Sequence, residues 1–176
     1  MAAATITCGV LLLTWHARRG DDEQRSADQT RAAVLKLDRQ VKFRAAVSRA
    51  EFKPEEGLST DVNQRGWPVT IDPDWFGANP PINRLTPPGC PWIEIASPDE
   101  LTLSNPVVRV ALDRDTAAFW YNPALGIVRA RVGPTASDER AIRLYNAVNG
   151  TSVASIVEAP ALLTAEEDAT AEAKSP

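Results

Sequence analysis

Three features of the chain predict an α+β fold. The stretch from Ser26 to Phe52 holds no Gly or Pro and carries apolar residues at helical spacing. Short segments rich in β-branched and aromatic residues follow between Gly66 and Val132. A second helical pattern with capping residues at both ends runs from Thr135 to Gly150. Helices set apart from a run of strands make α+β rather than wound α/β. The expected architecture is a long amino-terminal amphipathic helix packed on a small antiparallel sheet of about four strands, with a short carboxyl-terminal helix.

The chain opens with "MAAATITCGVLLLTW", which is uncharged, and "HARR" follows at once. As a helix these fifteen residues reach about 23 Å, at about 1.5 Å per residue. A hydrocarbon core is about 30 Å thick and asks for roughly 17 residues at the least. With His16 and Ala17 included, and Arg18 and Arg19 reaching to the interface, residues 1–17 are read as a membrane anchor. The missing basic n-region argues against a cleavable signal peptide. The expectation is a single-pass protein of the inner membrane, its folded domain in the periplasm, although Arg18 and Arg19 taken alone set that side in the cytoplasm and the residues leave the orientation open. The alternative is the apolar start of a soluble helix.

Residues 18–53 are assigned to the long helix. Val34, Leu37, Val41, Ala45 and Phe52 step by three, four, four and seven residues and form one apolar stripe. Leu35, Phe43, Ala46, Val47 and Ala50 fall on a second sector, among Lys36, Arg39, Lys42 and Arg49. The first stripe suffices to dock on a sheet. The second either broadens the core face or meets another helix or a membrane, and Leu35, Phe43 and Val47 are its candidate assembly face. Pro54 stops the helix.

Residues 54–157 are read as the sheet domain. "WPVTI" suits a short edge strand, whereas "DPDWFGANPP" lacks the ladder donors of a central strand and is read as an ordered loop. "CPWIEIAS", "PVVRVALD", "AAFWYN" and "IVRARV" supply strands, the last two joined through "PALG" as a hairpin. Alternation along "AAFWYN" turns Phe119 and Tyr121 one way and Trp120 the other, so one ring is expected on an outer face. Along "IVRARV", Arg129 and Arg131 mark a wet face opposite Val128, Ala130 and Val132. In the second helix Ser137 is the cap, Asp138 and Glu139 suit the positive end, and Asn149-Gly150 closes it. Ile142, Tyr145 and Val148 line one side. Residues 158–176, rich in Ala, Glu, Thr and Asp, are read as a disordered acidic tail.

Composition narrows the chemistry. The 19 basic and 23 acidic residues nearly balance, so no global field calls for nucleic acid. The only histidine is His16, and Cys8 and Cys90 fall in segments too different to pair or share a zinc. Asp72 with Asp74 and Asp113 with Asp115 are paired carboxylates that suit calcium, but also ordinary turns. "NGT" at Asn149 matches a glycosylation sequon, although a helix cap explains it better. No phosphate-cradling loop or nucleophile elbow occurs. No catalytic, cofactor-binding or metal-ligating residue is therefore assigned. The rings between Trp67 and Tyr121 remain, either as packing or as a platform for glycan or peptide. Trp67, Trp75 and Trp120 are the candidate ligand-facing aromatics.

The order of parts carries a resemblance. An apolar start, a long amphipathic helix, an irregular loop and a meander make the chain similar to type IV pilin-like proteins, including the pseudopilins of type II secretion. "GWPVTIDPDWFGANPPIN", "PWIEIA", "AAFWYNPALGIVRARV" and "AIRLYNAVNG" look like segments of pilin-like proteins of planctomycete-type bacteria. The resemblance spans roughly residues 4–157. The chain departs from the family at its start: there is no basic leader, Val10 follows Gly9, and no glutamate lies in the apolar segment. No functional residue of the family transfers. The resemblance implies a membrane-anchored, non-enzymatic structural or assembly component of a bacterial envelope or secretion system. It would form a homo- or hetero-oligomer through its long helix. The other expectation is an aromatic-loop binding module.

Overall fold

The computed structural model describes residues 2–50 and 62–157, with side chains placed for 20–48 and 62–157. Phe52, Pro54, the polar connection and the acidic tail lie outside the described residues, as do the side chains of the apolar start.

Helix α1 (Ala2–Ala50) is one uninterrupted helix, beginning well before Ser26. Ala27, Thr30, Val34, Leu37, Val41 and Ala45 form its buried face, with Leu37 and Val41 wholly inaccessible. Their spacing of three and four residues is what a 3.6-residue turn needs to keep them on one side. No helix among the described residues is long and apolar enough to cross a membrane. The anchor expected at residues 1–17, the single-pass topology and the inner-membrane placement are therefore corrected. The apolar run is short, and His16, Arg18 and Arg19 follow it on the same helix.

The sheet has three strands, not about four: β1 (Ile93–Ile95), β2 (Phe119–Asn122) and β3 (Ile127–Ala130), in the spatial order β1-β2-β3. It is mixed rather than antiparallel. Strand β1 runs parallel to β2, with Ile93 opposite Phe119 and Ile95 opposite Tyr121, while β3 returns antiparallel with Phe119 opposite Ala130. The reason lies in the connections. "PALG" is short enough for a hairpin, whereas residues 96–118 are long enough for the crossover that parallel strands require. In the hairpin Gly126 takes a φ of 67°, and its N–H donates to the Asn122 carbonyl at 2.8 Å.

Two expected strands do not form ladders. "WPVTI" contributes only the bridge between Val62 and Pro68. "PVVRVALD" makes single bridges, Val108 with Val157 and Val110 with Val132. It runs past the end of β3, where Ala111 N–H donates to the Val132 carbonyl at 2.8 Å and Arg109 N–H to that of Ile156 at 3.0 Å.

Helix α2 (Asp138–Asn149) matches its expected ends. The Ser137 side chain accepts from the Arg140 N–H, and Gly150 closes the helix in the left-handed conformation. Ala141, Tyr145 and Val148 are its buried residues; Ile142, expected in that row, is only half-buried. Helices α1 and α2 cover one face of the sheet. Phe119, Tyr121, Val128 and Ala130 meet Leu37, Val41 and Tyr145 there in a single core.

Candidate functional site

The opposite sheet face was expected to be wet. It is covered instead. Arg131 is 3% exposed, and Phe119, Trp120 and Tyr121 are all fully buried, so no ring of β2 reaches an outer face. The crossover lies over this face and turns its polar atoms inward. Arg131 Nη2 meets Glu94 Oε2 at 2.7 Å, and Arg131 Nε donates to the Val108 carbonyl at 2.8 Å. Arg129 Nε donates to the Ser104 carbonyl and to Asn105 Oδ1, both at 3.1 Å. Trp120 Nε1 donates to Glu100 Oε2 at 3.5 Å. The Glu100 carboxylate also accepts from Ser97 N–H at 3.1 Å and from Val107 N–H at 3.5 Å. Partial burial alone would raise the Glu100 pKa; these hydrogen bonds outweigh it and hold the carboxyl below its ordinary value.

The Pro-rich aromatic loop is fastened in the same way. Asp72 caps a short 3-10 turn, Pro73–Phe76, by accepting from the Asp74 N–H at 2.9 Å. The Arg44 guanidinium stacks over the Trp75 ring at 5.0 Å, and Lys36 lies over Phe76 at 5.4 Å while donating to the Asn79 carbonyl at 2.8 Å. Phe76 meets Trp92 edge to face with centroids 6.0 Å apart, and Trp92 Nε1 donates to the Pro81 carbonyl at 2.7 Å. Trp67 packs so closely against Gly126 that a methyl group at that glycine would clash with the ring. Of the three candidate ligand-facing aromatics, Trp120 is in the interior, which corrects its assignment. Trp67 and Trp75 are half-buried and packed against the core. The open cleft of about 530 Å³ beside the hairpin is lined by Asn63, Gln64, Arg65, Leu101, Thr102, Ala124 and Leu125, with none of the three tryptophans.

Both acidic pairs serve turns. Asp113 Oδ1 accepts from the Thr116 hydroxyl at 2.8 Å, and from Thr116 and Asp115 N–H groups at 3.0 and 3.1 Å. The Thr116 hydroxyl and N–H together hold the Asp113 carboxyl below its ordinary range. No group of three or more His, Cys, Asp or Glu able to hold a metal occurs among the described residues. Burial pushes the Tyr121 and Tyr145 phenols well up, so both stay protonated and act as donors. Tyr121 donates to the Pro68 carbonyl at 2.7 Å and Tyr145 to Asn105 Oδ1 at 3.0 Å. The Cys90 thiol donates to the Asp113 carbonyl at 3.4 Å.

Asparagine amides that sequence reasoning passed over hold the irregular backbone. Asn83 Nδ2 donates to the carbonyls of Ala118 and Arg131, at 2.8 and 2.7 Å, while its Oδ1 accepts from Leu85 N–H and the Thr30 hydroxyl. Asn122 Nδ2 shares its two hydrogens among three crossover carbonyls, those of Glu100, Leu101 and Leu103. Asn149, read above as a cap, pairs with both backbone groups of Ala130 on the outer edge of β3, at 2.8 and 2.9 Å.

The candidate assembly face is where exposed apolar surface remains on α1. Leu35 and Phe43 are 51% and 57% exposed, while Val47 is half-buried at the margin. Ala32, Arg39 and Ala46 share their side and are exposed as well. Arg39 and Ala46 were already read on this sector; the signal that could have added Ala32 is its spacing of three residues from Leu35. No family model, no curated protein and no solved structure matches the chain.

Proposed function

We propose that the chain is a non-enzymatic, pilin-like structural or assembly component whose long helix carries the contacts to neighbouring subunits. The exposure of Leu35 and Phe43 on the side of α1 opposite its packed stripe carries this reading. An isolated exposed leucine is ordinary. Two large apolar residues two turns apart, on a helix already fastened along its inner face, form a surface suited to another helix. The polar groups that would suggest chemistry or ligand capture are engaged elsewhere: the acids in turns, the rings in packing, the phenols as buried donors. That distribution favours assembly over the aromatic-loop binding module.

The test is crosslinking of the full-length chain in its native cells, with Leu35→Glu and Phe43→Glu as variants. Both sites are exposed, so folding stability should move by no more than about 0.5 kcal/mol, read by denaturant unfolding. Crosslinked species should disappear. Unchanged crosslinking by a folded variant refutes the proposal.

A further inference from the structure

Resting on that assembly reading, we infer that the outer face of α1 pairs with the same face of a second copy, antiparallel, about a two-fold axis level with Ala33 and Val34. Exposed positions from Asp21 to Ala46 recur in steps of 3, 4, 4, 3, 4, 4 and 3. At about 3.6 residues per turn such steps stay on one side of the helix, away from Leu37 and Val41. The step pattern reads the same in both directions, as an isologous contact requires. In the antiparallel register Asp28 faces Arg39, Ala32 faces Leu35, Gln24 faces Phe43 and Asp21 faces Ala46, each contact occurring twice.

Charge selects both the partner and the direction. Between Gly20 and Thr30 the helix carries Asp21, Asp22, Glu23 and Asp28 against Arg25. Between Arg31 and Ser48 it carries Arg31, Lys36, Arg39, Lys42 and Arg44 against Asp38. A parallel pair would set Asp28 on Asp28 and Arg39 on Arg39; reversal sets each acidic half on a basic half. Several charges away from the stripe are already engaged within the chain. Lys42 pairs with Asp38 at 2.7 Å, Arg140 pairs with Glu23, and Arg44 covers Trp75. Asp28 Oδ1 accepts from Gln24 Nε2 at 3.1 Å, which leaves its other oxygen for a cation across the interface. At the axis, alanine against leucine lets the two backbones approach closely.

The experiment is sedimentation of the full-length chain, with Asp28→Arg and Arg39→Asp prepared separately and then mixed. Either substitution alone should weaken self-association about tenfold or more, because both symmetry-related pairs become repulsive. Mixing the two should restore a dimer holding one chain of each, since every Arg then faces an Asp. A wild-type chain that self-associates and is disrupted by Leu35→Glu, yet is indifferent to both charge reversals, overturns the antiparallel register and leaves the assembly reading standing. A wild-type chain that stays monomeric at about 100 μM, well above the loosest interface class of interest, overturns self-pairing. Crosslinks in cells that persist unchanged in Leu35→Glu overturn the underlying reading instead.

Discussion

Replacing Asn83 with alanine tests whether a single buried amide binds α1 to the sheet. Asn83 is 7% exposed and bonds four partners on four segments: Ala118 before β2, Arg131 after β3, Leu85 in the aromatic loop and Thr30 on α1. The four losses are unequal. The Ala118 carbonyl still accepts from Arg131 N–H at 3.0 Å, and Thr30 Oγ1 still accepts from Arg84 N–H at 3.0 Å. The Arg131 carbonyl and the Leu85 N–H lose the partner described for them. Two stranded backbone groups at about 1–3 kcal/mol each, with little regained from the smaller side chain, give an expected loss of about 3–4 kcal/mol. That is a large share of the roughly 5–15 kcal/mol that holds a domain together. Equilibrium urea unfolding followed by tryptophan fluorescence measures it. Asn83→Asp should cost at least as much, since it sets an acceptor against two carbonyl oxygens. Thr30→Val, which removes one hydroxyl contact and the acceptor for Arg84, should cost about 1–2 kcal/mol. A loss below about 1 kcal/mol for Asn83→Ala would refute the account, because the joint would then be held by apolar packing alone.

Gly126→Ala should cost about 2–3 kcal/mol in the same assay, since it forces a side chain into a positive-φ position and against the Trp67 ring. Gly150→Ala, also at positive φ but in the ordinary left-handed region with open space around it, is the control and should cost less. The Glu100 carboxyl lies below its ordinary value in the folded chain, so its contribution is complete above the unfolded-state pKa and is lost as pH falls through the folded one. Glu100→Gln should therefore show a shallower loss of stability on acidification below about pH 4.3, the ordinary glutamate value. Identical acid profiles for the two proteins would remove Glu100 from the acid-sensitive groups.

Local rules were enough for the parts of the fold set by neighbouring residues. Val34, Leu37, Val41 and Ala45 announced the inner face of α1, Ser137 and Gly150 the ends of α2, and "PALG" the hairpin. The parallel pairing of β1 with β2 was not legible, because it depends on where residues 96–118 travel and not on the composition of either strand. The same crossover buries Arg131 and Trp120, whose alternation along the strands suggested solvent. Asparagines carry no mark in sequence that separates a solvated turn from a four-way backbone joint, so Asn83 and Asn122 were missed. On α1 the apolar members of the outer face were visible as Leu35 and Phe43. Asp28 and Ala32 were not, since charged and small residues advertise no particular face until the inner one is known.

The Asn149 amide against Ala130 has a bearing on how copies of this protein can meet. An open strand margin is a template on which foreign strands lay themselves down, and the usual outcome is uncontrolled fibrous growth. By occupying both hydrogen-bonding groups at that position, one side chain from a neighbouring helix closes the site without adding a strand. Cross-β stacking is thereby discouraged at this rim, and molecules that crowd together there must meet through side chains.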